Sequence, residues 1–162
     1  MIPFLLLAAY TDPLPTPEPT VVAAGVVAGE REPRPDRAQV SRIVAAASIV
    51  PARWQAFAAC VERRESGGNS RAVNRSSGAA GLYQFMPAWR RGLPYVVGRG
   101  LVRAGMTPGA ARAVRLSLPH RIEAWPARFQ RVAFAQIIHE GGRTAALRHW
   151  HGGRGCDGLA AS

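Results

Sequence analysis

The chain contains no lysine: all 21 of its basic residues are arginine, set against 10 acidic ones, for a net charge of +11. With abundant alanine, glycine and proline beside it, this is the composition of GC-rich coding, so the choice of arginine carries no functional message. The excess of positive charge does, because it draws a protein to polyanions such as anionic cell-wall polymers, a membrane surface or nucleic acid. No recognised nucleic-acid motif accompanies it and the arginines are scattered over many segments, so no specific nucleic-acid partner is expected. Cysteine is scarce as well. There are only Cys60 and Cys156 and no Cys-x-x-Cys. His149, His151 and Cys156 lack the further ligand pair that a tetrahedral zinc site wants, so no metal and no cofactor are expected. No serine stands in a Gly-x-Ser-x-Gly turn and neither cysteine lies in a reactive-cysteine motif, which argues against an amidase or endopeptidase.

The apolar run Ile2 to Tyr10 is too short to span a bilayer. It has the length of a signal h-region, but no basic residue precedes it and no clear cleavage site follows. Two readings stay open, a degenerate or truncated export signal and an unstructured apolar tail. Pro13, Pro15, Pro17, Pro19, Pro33 and Pro35 then mark a linker or stalk. Residues 1–35 are therefore expected to be disordered, with one folded domain over 36–162. A hydrophobic content of 48% excludes wholesale disorder. No internal repeat and no heptad pattern is evident.

Within the domain, Asp36 with Gln39 forms a capping-box pattern for a helix running to about Ile49. Pro51 to Ser66 has no glycine, opens with proline and halts at Gly67-Gly68, which predicts a single helix. Residues 67–85, rich in glycine, serine and asparagine, predict a short irregular hairpin as one wall of a cleft. A helix is expected to begin at Met86-Pro87, another to run from Thr107-Pro108 to about Leu116, and one carrying Phe129 to Glu140 to close at Gly141-Gly142. A last one spans Thr144 to Trp150. The fold class is mainly α.

On the Pro51–Ser66 helix, Trp54, Ala58, Val61 and Glu65 fall in one narrow stripe, and Glu62 sits at its edge as a solvated residue. Glu65 is thus the acid of the buried face. Partial desolvation and the negative helix end are expected to raise its pKa, as a general acid requires. The alternative is a surface glutamate paired with Arg64 or Arg71.

Glu65-Ser66-Gly67-Gly68-Asn69, a polar loop, then Ser77-Gly78-Ala79-x-Gly81-Leu82-x-Gln84-x-Met86-Pro87 resembles the signature of the soluble lytic transglycosylases. Cys60 upstream and Trp89 downstream are also similar to the resuscitation-promoting factors, small lysozyme-like proteins of actinobacteria. The two-part motif covers roughly residues 60 to 90, with a weaker similarity through Gly141-Gly142, Trp150 and Cys156. The resemblance implies an α+β lysozyme-like fold, a small helical domain with the hairpin as its cleft wall, and Glu65 as the catalytic glutamate. It implies substrate-binding positions at Ser66, Ser77, Tyr83, Gln84 and Trp89. Tyr83 and Trp89 have a second reading as core aromatics. The glycines at 78 and 81 are expected to turn the chain tightly and let it approach a sugar ring. The family's Tyr-Asn pair in a later helix has no visible counterpart; Ile137-Ile138-His139-Glu140 stands there.

The activity so implied is cleavage of the MurNAc–GlcNAc β-1,4 bond of peptidoglycan glycan strands by one carboxyl group, giving 1,6-anhydro-muropeptides. A two-carboxylate glycosidase would need a partner acid. None lies in the polar loop between Asn69 and Phe85, which favours the single-acid route. The alternatives are a hydrolytic muramidase using Glu140 or Asp157, and a non-catalytic wall-binding or morphogenetic protein. A monomer is expected, secreted to the cell wall or phage-associated. In an exported protein Cys60 and Cys156 are expected to form a disulfide, worth roughly 4–5 kcal/mol on the chain-entropy model; in a reducing compartment they would be two buried thiols.

Overall fold

Asp36 does what its side chain is suited to do at a helix start. In an extended conformation it accepts the backbone N–H of Gln39 at 2.6 Å and begins α1, Arg37–Ala47. The computed structural model describes residues 36–150 and 155–160, so the expectations for 1–35 and for His151 lie outside the described residues. Four more helices follow among them: α2, Gln55–Ser66; α3, Leu93–Arg103; α4, Pro108–Ser117; and α5, Ala127–Trp150. The mainly α class holds.

Helix α5 is the pillar of this arrangement. Every residue from Val132 to Ile138 is buried, so the helix has no solvent face over that stretch. A helix apolar all round belongs inside a core. Helices α1 and α3 pack on α5, and α4 packs on α3. This is also why the expected stripe of Phe129, Val132, Ala133, Gln136 and Ile137 understates the burial: the intervening Phe134, Ala135 and Ile138 are buried too, whereas Glu140 is exposed. At Gly142 the backbone leaves helical geometry (φ 49°, ψ −136°) and α5 kinks before its final turns. The expected helix end at Gly141-Gly142 is therefore a corner, with the segment to Trp150 continuing beyond it.

Two helix starts differ from expectation. Residues 52–54 form a 3-10 turn, with the Trp54 N–H bonded to the Pro51 carbonyl at 2.8 Å, and α2 begins only at Gln55. The tighter turn tucks Trp54 into the core, edge-on to Phe57 at 5.6 Å. Likewise Pro87–Trp89 is an isolated 3-10 turn, closed by the Arg90 N–H on the Pro87 carbonyl at 3.1 Å, and α3 is a separate helix starting at Leu93. The α4 helix starts as its sequence asks, with the Thr107 hydroxyl accepting the Ala110 N–H.

Residues 67–86 are tight turns with two isolated antiparallel bridges, Val73 with Ala80 and Ala80 with Phe85. No strand forms among the described residues. Asn74 organises the loop: its side-chain oxygen accepts the N–H groups of Ser76 and Ser77, the behaviour that suits asparagine to turns. Cys60 of α2 is bonded to Cys156, next to the 3-10 turn Asp157–Leu159, across 96 positions of sequence.

Candidate active site

The end of α2 carries the site. Gly67, in the left-handed conformation (φ 62°), closes the helix by donating to the Arg63 carbonyl, so Glu65 stands in the last turn. Trp54 and Val61 of its stripe are buried, but the Glu65 side chain remains 25% exposed. The nearby cation is Arg64. Its Nε and Nη2 donate to one carboxylate oxygen, Oε1, at 3.1 and 2.7 Å, and Nη2 also reaches the Trp150 carbonyl at 2.7 Å. Both readings of Glu65 are thus partly met: it lies at the end of a buried stripe, and it forms the Arg64 pair. Oε2 accepts no hydrogen bond from the described residues.

Glu62, one turn earlier, is not the solvated residue that its place at the stripe edge predicted. Its side chain is 20% exposed. Oε2 accepts the Tyr83 hydroxyl at 3.0 Å and Arg131 Nε at 3.2 Å, and Oε1 accepts Arg131 Nη2 at 2.7 Å. Burial opposes ionisation of this carboxyl, but the hydrogen bonds and charge of Arg131, joined by the Tyr83 hydroxyl, prevail and hold its pKa below the ordinary value. For Tyr83 burial and the adjoining Glu62 charge act together and push the hydroxyl well above its ordinary range. The Arg131 side chain that binds Glu62 comes from α5, a tertiary neighbour invisible from α2 alone.

The loop bearing the second half of the motif is held from both sides. From α2, the Ser66 hydroxyl lies 2.9 Å from the Leu82 carbonyl and 3.1 Å from that of Glu62. From α5, Gln130 Oε1 accepts the Leu82 N–H at 2.7 Å, while its Nε2 lies 3.0–3.1 Å from the carbonyls of Ser70, Ile122 and Trp125. Trp150 Nε1 donates to the Tyr83 carbonyl. Gly81 is where the packing is tightest: its φ is +81°, and a Cβ there would collide with Gln130 Oε1. The close approach expected of a sugar ring at this glycine is made instead by Gln130.

The expected substrate residues separate accordingly. Tyr83 is 3% exposed, with its ring stacked on Phe134 at a centroid distance of 4.1 Å, so its core reading describes the ring. Gln84 takes a positive φ of 49°, uncommon outside glycine, and its Nε2 donates to the Gly81 carbonyl at 3.0 Å. Trp89 is half-buried and meets His149 edge-on at 4.2 Å. Ser77 is exposed, and its Oγ accepts the Ala79 N–H in the Asn74 turn. Ser66 uses its hydroxyl on main-chain carbonyls. Gln130 was missed as a site residue, and Trp150 entered only through the weaker C-terminal similarity; a glutamine inside an apolar helical run was the available signal for Gln130, and it marks Gln136 equally.

No curated protein and no solved structure matches the chain. Residues 43–100 match the family model described as the Transglycosylase SLT domain. The matched stretch runs from α1 to α3 and contains Glu65 with the whole motif through Trp89. Members of that family are lytic transglycosylases acting on peptidoglycan, and over residues 43–100, about a third of its length, the chain is similar to them.

Proposed function

We propose that the protein cleaves the MurNAc–GlcNAc β-1,4 bond of glycan strands non-hydrolytically, with Glu65 as the single acid and base. The observation that carries this is the state of the four glutamates among the described residues. Glu62 and Glu140 have both oxygens bonded, to Arg131 and Tyr83 and to Arg99 and Gln136 respectively. Glu123 is bonded through Oε1 to Arg121, and its Oε2 is buried. Of these four, Glu65 alone combines solvent access with an oxygen that accepts no hydrogen bond from the described residues.

In the reaction, the protonated Glu65 gives its proton to the glycosidic oxygen as the bond from that oxygen to the anomeric carbon of MurNAc breaks. The 2-acetamido group supports the positive charge that develops there. Glu65, now a carboxylate, takes the proton of the C6 hydroxyl as O6 bonds to the anomeric carbon and closes the 1,6-anhydro ring. Glu65 ends as it began and no water is consumed. Arg64, on Oε1, leaves Oε2 as the oxygen for both transfers.

Gln84 and Trp89 are the proposed sugar contacts. Both are partly exposed and lie at or next to the end of the motif loop. The Cys60–Cys156 disulfide supports a location outside the reducing cytoplasm, at the cell wall or with a phage particle. The arginine excess supports attraction to anionic wall polymers, and the protein is proposed to act as a monomer.

The test is mass spectrometry of soluble fragments released from purified peptidoglycan by the full chain, beside Glu65→Gln. Fragments one water lighter than reducing muropeptides, absent with the variant, are expected. Full-mass reducing fragments would establish a muramidase, and binding without fragments from either protein would establish a non-catalytic wall protein.

A further inference from the structure

Glu62 and Ser66 lie four residues apart on α2, and both grip the motif loop: Ser66 at the Leu82 carbonyl, Glu62 at the Tyr83 hydroxyl. Glu65 stands between them in sequence. Residues at i and i+4 share a helix face, so the side of α2 turned to the loop is fixed at two points one turn apart. Two points define a rotation as well as a distance. Ser66 alone would leave the last turn free to roll about the Leu82 carbonyl, and the last turn of a helix, short of intrahelical partners, frays readily. The second point is not an isolated bond. Arg131 places two donors on the Glu62 carboxylate, and the Tyr83 ring that carries the hydroxyl is stacked on Phe134 of α5.

We infer that Glu62, Tyr83 and Arg131 form a positioning network that sets the rotation of the last turn of α2, and so the direction in which Glu65 presents its carboxyl to the glycan. The inference rests on the reading of Glu65 as acid and base. None of the three touches the reacting atoms. Glu62 is unsuited to proton transfer itself, because Arg131 and Tyr83 occupy both of its oxygens and favour its ionised form. Its value lies in being a fixed charge. An ionised carboxylate held by a bidentate arginine has a defined plane, and the Tyr83 hydroxyl, with little freedom of its own, reads that plane out to the loop. A misplacement of a catalytic group by about 1 Å costs up to roughly 100-fold in rate, so small rotations of α2 are enough to matter.

The experiment compares Tyr83→Phe, Glu62→Gln, Glu62→Leu and the Tyr83→Phe/Glu62→Gln pair in the full chain, on soluble uncrosslinked glycan strands. Val97→Ala, in the α3 core away from the motif loop, serves as a control for destabilisation alone, and Glu65→Gln as a control for the chemistry. Tyr83→Phe removes one hydroxyl and nothing of the ring. It is expected to lower kcat by roughly 10- to 100-fold with KM unchanged. Glu62→Gln keeps an oxygen that can accept from Tyr83 and is expected to lose less than Glu62→Leu. The double variant is expected to be no worse than Tyr83→Phe by more than a factor of about 2, because coupled members of one network do not add. Wild-type kcat in Tyr83→Phe and Glu62→Leu with Glu65→Gln inactive would overturn the network. So would losses that match Val97→Ala at equal Tm, since those would report stability and not direction. Full turnover by Glu65→Gln would instead remove the underlying reading of Glu65, a result distinct from failure of the network.

Discussion

Trp150 Nε1 donates a hydrogen bond of 2.9 Å to the Tyr83 carbonyl, joining the last residue of α5 to the motif loop across 67 positions of sequence. The bond is buried, and the indole also meets Phe134 at 4.6 Å and Tyr83 at 6.4 Å. Trp150→Phe keeps an aromatic ring but leaves a buried carbonyl without its donor. We expect a loss of about 1–3 kcal/mol in chemical unfolding, with turnover reduced more than wall binding because the loop beside Glu65 loosens.

Gln130 is fully buried and makes four contacts to main-chain groups of three separate segments. Gln130→Leu fills the space with an apolar group of similar size but strands the Leu82 N–H and the carbonyls beneath it. A loss of about 3 kcal/mol or more is expected. Gly81→Ala is expected to be comparably damaging from the other side, through its positive φ and the close approach of Gln130 Oε1. Thermal melts of the two variants and of their double would be informative. The double should fall short of the sum, because both disrupt one contact.

Glu62 gives the fold a defined acid sensitivity. Its pKa in the folded protein lies below the ordinary 4.5, so the unfolded chain binds the proton first as pH falls. Stability from the Glu62–Arg131–Tyr83 contact is therefore full above the ordinary carboxylate range and is lost as pH drops through the lower, folded value. Tyr83 acts at the opposite end. Its folded pKa is raised above 10.0, so its contribution is full below pH 10 and declines as pH climbs beyond it. Denaturant unfolding against pH should show both flanks, with the acid flank shallower in Glu62→Gln and the alkaline one shallower in Tyr83→Phe. A flank unchanged by its variant would refute the assignment.

The Cys60–Cys156 bond closes a loop of 96 positions. On the chain-entropy model such a closure contributes roughly 4–5 kcal/mol. Cys156→Ser, or reduction of the native protein, should lower the unfolding midpoint accordingly, and activity should fall with it because Cys60 lies on the helix that carries Glu65.

What the sequence made legible was local. The Asp36 and Thr107 caps, the stop at Gly67 and the position of Glu65 in the last turn of its helix are set by residues within a few positions of one another. What it hid was the second party to each tertiary contact. Glu62 looks like a surface residue until Arg131 and Tyr83 are brought to it from 69 and 21 positions away. Gly81 reads as a turn glycine, and the amide that crowds it comes from α5. The 3-10 turn at Ala52–Trp54 was obscured for the same reason: burial of Trp54 selects a tighter turn than the start signals of a helix specify.

The corner at Gly142 has a consequence for how the site is assembled. A helix advances about 1.5 Å per residue, so the eight positions from Gly142 to Trp150 form a lever arm of about 12 Å. The angle of that arm decides where the indole and the carbonyl of Trp150 come to rest, against Tyr83 and Arg64 respectively. The backbone conformation that sets the angle, φ 49° with ψ −136°, is open to glycine and closed to residues with a side chain. One hydrogen atom in place of a methyl group at position 142 thus aims the far end of α5, and a substitution there would misdirect the arm while leaving every residue that touches Glu65 intact.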